Sequence, residues 1–279
     1  MKKIFQIIGL ISLTCFSFFI TEKTALVVNN MDEIMVQIKD KKDQYKSDPV
    51  DAIIDNNTII PGINGREVNI NKSYKNMRSN GYFNENLFVY DYTKPKVSIL
   101  DNMDKYIVKG NPSKRMVSLI FILTGEDSVD DILKIINNYS INVTFFVDYT
   151  WFNNNINKIK DMINEGHIIA PYMDDYNDSN FELMDMILRK INKQNIDFCY
   201  NVNSNQSNLD ICKLKGSYTI KPTVISDKTP LVDIKKRLES GSLLVLNNNS
   251  QMKKELSTII IYIKSKGYKL VSLEENILE

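Results

Sequence analysis

From Met116 to the C-terminus the chain repeats one unit, a short run rich in β-branched and aromatic residues followed by a stretch of amphipathic helical period. Strands joined through helices of a dozen residues pair in parallel and carry their helices on the sheet faces, which restricts the chain to the α/β class. The pattern predicts strands at 117–123, 142–147, 167–170, 196–199, 242–246 and 268–271. Helices are expected at 127–138, 151–164, 181–193, 207–214, 231–239 and 251–266. In the first of these Val129, Ile132, Leu133, Ile135 and Ile136 share an inward face. The last ends at Gly267, which suits a left-handed C-terminal cap. Six or seven such units point to a distorted or incomplete (β/α) barrel rather than an open sheet.

The sequence before Met116 divides into three. Lys2 and Lys3 precede a charge-free run from Ile4 to Ile20, stopped by Glu22 and Lys23. This predicts an export segment over 1–25 that places the rest of the chain outside the cytoplasm. A cut after Ala25 would put Lys23 where a small residue is wanted, which favours an uncleaved signal anchor, a single membrane pass through residues 4–20, over a secreted form after signal cleavage. Residues 26–50, with Ile34, Met35, Ile38 and Tyr45 at helical spacing among many charges, read as a stalk or linker helix. Turn signals at Pro61-Gly62 and Asn64-Gly65, a helical patch over 73–78 and strand-like runs at 87–92 and 106–108 predict a small α/β subdomain over 51–115.

Composition narrows the chemistry. The 35 Lys and Arg against 34 Asp and Glu leave a formal charge of +1, so no global field draws in nucleic acid, and no nucleic-acid partner is expected. Cys15, Cys199 and Cys212 lack the spacing of a zinc site or redox motif. A Cys199–Cys212 disulfide is left open. His167 stands alone as the only histidine, which excludes any mechanism needing two.

The run SLIFILTGEDSVDDILKIINNYSINVTFFVDYTWFNNNINKIKDMINEGHIIA resembles the start of a polysaccharide deacetylase domain of the NodB-homology type, carbohydrate esterase family 4. The resemblance rests on Leu119, Phe121, Thr144-Phe145-Phe146-Val147 and Gly166-His167-Ile168, and on the closing segments GSLLVLNNN and KGYKLVSLEE. It covers 116–279 and implies the family's distorted (β/α) barrel. Family members hold a divalent metal such as zinc with one aspartate and two histidines, and use a second aspartate as base. Carried over position by position, the paired aspartates fall on Ile122 and Leu123, the two metal histidines on Tyr172 and Tyr176, the third motif near Cys199, Tyr200 and Asn201, and the last catalytic histidine on Asn247. None of these substitutes can do the family's chemistry, so no metal cofactor and no catalytic residue is expected. His167 matches a family histidine that packs within its strand.

Three readings follow from this departure. In the first, a cell-wall glycan or an envelope protein binds where the catalytic groove was, against Trp151, Tyr172, Asp174, Asp175, Tyr176, Tyr200 and Asn247, since aromatic faces and amides suit sugar rings. In the second, Asp174 and Asp175, or Glu126 and Asp127, rebuild a metal site and the chain remains a peptidoglycan N-deacetylase. In the third, the stalk and subdomain make the chain a purely structural partner in an envelope assembly.

Overall fold

The computed structural model describes residues 32–176, 178–191, 197–200, 205–222, 224–226 and 228–279; the expected export segment lies outside the described residues. The elements begin with α1 (Glu33–Lys41), β1 (Ile53–Asp55), β2 (Thr58–Ile60), β3 (Gly65–Val68), α2 (Ile70–Asn80), β4 (Tyr90–Thr93) and β5 (Tyr106–Ile107). Then come β6 (Met116–Leu123), α3 (Asp130–Asn138), β7 (Thr144–Val147), α4 (Tyr149–Asn154), α5 (Ile156–Asn164), β8 (Ile168–Pro171), α6 (Ser179–Ile191) and β9 (Asp197–Tyr200). The chain closes with α7 (Gln206–Leu214), β10 (Ser217–Ile220), β11 (Val224–Ser226), α8 (Pro230–Arg237), β12 (Leu243–Asn247), α9 (Ser250–Ser265), β13 (Lys269–Leu270) and α10 (Leu273–Ile277). Among the described residues no helix is long and apolar enough to cross a membrane.

The described residues form two compact units, one of 32–49 with 64–93, the other of 50–63 with those from 94 to 279. The stretch expected as one subdomain, 51–115, is thus divided between them. In the smaller unit α1 is capped by Asp32, whose carboxylate accepts the Ile34 N–H at 2.9 Å. Its Met35 and Ile38 are buried with Val68, Tyr74, Met77 and Phe88, so the described part of the expected stalk has an apolar face packed into a core.

In the larger unit β11-β12-β6-β7-β8 form one parallel ladder, with β13 added beside β6. A second ladder runs β1-β2-β5-β10-β9, parallel except for the β1–β2 hairpin. No pairing joins β8 to β9, and no barrel closure occurs among the described residues. Strand alternation sorts the core. Leu119, Phe121 and Leu123 pack with the helices α3, α5 and α9, whereas Ile120 and Ile122 turn to the interior with Phe146, Ala170, Phe198, Tyr200, Leu243 and Val245.

The long helix expected over 151–164 is two helices meeting at Asn155. Asn155 donates its side-chain amide to the Trp151 carbonyl at 2.9 Å, taking the acceptor that would continue the helix. Strands β10 and β11 were not anticipated. Gly216, at φ +72°, ends α7 and releases the backbone into β10.

Candidate functional site

Parallel strands gather whatever follows their C-terminal ends into one neighbourhood. Pairing in register sets Ile122 between Asn247 on β12 and Phe146 on β7, and Val147 opposite Pro171 on β8. Tyr172 continues from β8, its N–H donating to the Val147 carbonyl at 2.8 Å. Ile122, Leu123, Tyr172 and Asn247, far apart in sequence, therefore share one edge of the sheet.

They do not form a polar centre. Leu123 is buried on the helix side of β6, away from the interior that Ile122 faces. The interior at this end is filled by rings, with Phe146 and Tyr200 centroids 5.2 Å apart and Tyr172 and Tyr200 5.7 Å apart. Burial holds the Tyr176 and Tyr200 hydroxyls well above the usual phenol range, so both are neutral. Tyr172 is half-buried, and burial first, then the neighbouring Asp174 and Asp148 carboxylates, raises its hydroxyl as well. Two aliphatic side chains, neutral phenols and an amide do not fit a divalent metal, which the family holds with carboxylate and imidazole.

Three of the expected ligand-facing aromatics are corrected by their burial. Trp151 is 0% exposed and donates its indole N–H to the Asp127 carbonyl at 2.7 Å. Tyr176 and Tyr200 are each 1% exposed. Turned inward, these rings remove apolar area from water. His167 is buried at the opposite, N-terminal end of β8, edge-on to Phe145 at 5.7 Å, and its Nδ1 accepts the Val143 N–H at 3.4 Å.

Outside this plug lies an open depression of about 420 Å³, lined by Thr124, Asp148, Tyr149, Thr150, Tyr172, Met173, Asp174 and Asn180. Of the expected residues only Tyr172 and Asp174 reach it. Asp148 caps α4 through the Trp151 N–H at 2.7 Å and also accepts the Gly125 N–H at 2.9 Å, fixing the loop after β6. Glu126 and Asp127 line a separate depression of about 280 Å³ with Asp130 and Lys158. Asp127 accepts the Thr124 N–H at 2.9 Å, and Lys158 pairs with Asp130 at 2.7 Å. Among the described residues no group of three His, Cys, Asp or Glu could hold a metal ion. Thr124, Tyr149, Thr150 and Asn180 were not singled out in the sequence, although the first three directly follow the ends of β6 and β7, where such sites form.

The remaining cysteines do pair, Cys199 on β9 with Cys212 on α7. The disulfide is buried beside Tyr176 and Phe181.

The larger unit thus has the α/β fold of the carbohydrate esterase family 4 deacetylases in a divergent form. The family model described as polysaccharide deacetylase matches residues 109–203. The Bacillus subtilis (strain 168) protein YlxY is 27% identical over 273 residues, covering 90% of this chain and 86% of its own. A wild-type family 4 pseudoenzyme from Bacillus anthracis superposes with a TM-score of 0.65 at 22% identity, over 88% of this chain and 95% of the other. Bacillus subtilis PdaA, a family 4 carbohydrate esterase, follows at a TM-score of 0.55 and 20% identity, over 64% and 86%.

Proposed function

We propose that the chain is an extracytoplasmic member of the deacetylase fold that performs no metal-dependent deacetylation and instead binds a cell-wall glycan in the depression at the strand ends. The observation that carries the loss of chemistry is the replacement of both expected aspartates by Ile122 and Leu123, with tilted aromatic rings filling the interior beside Ile122. The similarity to a pseudoenzyme of the same fold supports it. The half-exposed Tyr172 ring, with Thr124, Thr150, Asp174 and Asn180 around it, offers an apolar face and hydrogen-bonding groups of the kind that sugars use. The Cys199–Cys212 disulfide supports an oxidising compartment, and the charge-free run 4–20 supports attachment to a membrane.

The test is titration of the purified protein, without added metal, with N-acetylglucosamine oligosaccharides, followed by calorimetry or by chemical-shift changes. Binding that weakens about fivefold or more in Tyr172→Ala is expected, the loss of about 1 kcal/mol of ring contact. Absence of binding, or binding indifferent to Tyr172, would overturn the glycan reading.

A further inference from the structure

Among the described residues the edges of β8 and β9 that face each other carry no ladder, and at their C-terminal ends a side chain reaches the backbone groups of both. Pro171 has no N–H, so β8 offers only a carbonyl there. On β9 the N–H and C=O of Tyr200 both point away from the β10 side. One phenol lies within hydrogen-bonding reach of all three groups. The Tyr176 hydroxyl receives the Tyr200 N–H at 2.9 Å, and its one proton faces both the Tyr200 carbonyl at 3.0 Å and the Pro171 carbonyl at 3.2 Å. A hydroxyl carries its donor and its acceptor lone pairs on one atom, as this arrangement needs, whereas a neutral imidazole divides them between two ring nitrogens.

We propose that Tyr176 is a tie that holds the two ladders together across their unpaired seam, and that the Cys199–Cys212 disulfide keeps the tie in register. Three contacts fix the tyrosine. Asn208 on α7 accepts the Tyr176 N–H at 3.2 Å and donates to the Asp174 carbonyl at 2.8 Å, so α7 clamps the turn that carries the ring. Phe181 on α6 meets the ring edge-on at 4.8 Å. The disulfide then fastens α7 to β9, one residue before Tyr200, so both ends of the tie are referred to the same covalent link. A buried polar group in so closed a network loses its value when any member shifts. The position that family resemblance would give to a metal ligand has become a structural bond, and the seam depends on it and on the oxidised cysteines. This inference rests on the seam alone and is independent of what the outer depression binds.

The Tyr200 amide reports the tie directly, because its hydrogen-bond partner is the Tyr176 hydroxyl. Residue-resolved hydrogen exchange is to be measured on oxidised wild-type protein, on the same protein reduced with dithiothreitol, and on Tyr176→Phe and Tyr172→Phe. The Tyr200 amide is expected to exchange about fivefold faster or more in Tyr176→Phe and in the reduced protein, the loss of roughly one hydrogen bond, and to keep its wild-type rate in Tyr172→Phe. Should Tyr176→Phe fail to fold, the reduced wild-type protein decides. A Tyr200 amide that exchanges at the oxidised wild-type rate in Tyr176→Phe or after reduction overturns the proposal.

Discussion

Ile122 and Asn247 face one another across the β6–β12 ladder, and a substitution at either reads out different physics. A carboxylate at 122 would enter an interior bounded by Phe146, Tyr200 and Val245 with no cation among them. Ile122→Asp is therefore expected to destabilise the protein by about 2–4 kcal/mol in chemical denaturation, whereas aspartate in a competent metal site would be tolerated. His167 carries a second residue-scale prediction. Burial, only partly offset by Glu165, depresses its pKa below the ordinary 6.5, so the folded protein keeps it neutral. Its contribution to stability is present above pH about 6.5 and is lost as pH falls toward the depressed folded value, because the unfolded chain takes up the proton first. The slope of stability against pH below that point should be smaller in His167→Gln. An unchanged slope would place the acid sensitivity elsewhere. The sequence marked His167 as a packed residue, and so it is. It could not mark Trp151, Tyr176 and Tyr200 as buried, since position near a strand end does not say whether a ring turns outward or across a seam.

At the scale of elements, what was legible followed from periodicity. The parallel order of β6, β7 and β8 and the cap at Gly267 stand in the sequence as β-rich runs and a Gly after a helix. Non-local contacts were not legible. At the entry to β12, Gly241 takes φ +85° and accepts the Gly110 N–H at 2.8 Å; a Cβ there would lie 2.2 Å from the Gly110 carbonyl oxygen. Gly241→Ala should cost more than about 2 kcal/mol, from backbone strain and from separating the two chain segments. A variant within 0.5 kcal/mol of wild type would show, roughly, an ordinary exposed turn instead. The Cys199–Cys212 bond spans a sequence separation of 13, and its loss should cost about 3 kcal/mol through the unfolded chain. Replacing both cysteines with serine and measuring urea unfolding checks the value. The sequence left that pairing open because two cysteines at such a spacing do not reveal that β9 and α7 lie side by side.

For the whole molecule, the family resemblance located the α/β fold but not the open seam between its two ladders, and the departures from its motifs pointed to the same edge of the sheet where Ile122, Tyr172 and Asn247 meet. The outer depression was only partly visible, through Tyr172 and Asp174, because Thr124 just after β6, Tyr149 and Thr150 at the start of α4 and Asn180 at the start of α6 are brought there from separate stretches of the chain. The division at 50–63 and 64–93 was hidden for a related reason. Ala52, just before β1, and Ile59 on β2 are buried with Ile107 beside the second ladder of the larger unit, although they precede residues of the smaller one. The central claim is that this fold persists without its metal chemistry. The measurement that tests it most directly is acetate release from N-acetylated peptidoglycan by the purified protein supplied with zinc, cobalt or manganese, beside a competent deacetylase as control. No release from folded protein is the predicted result. Release that Asp174→Ala or Asp175→Ala abolishes would contradict the account and show a rebuilt catalytic site.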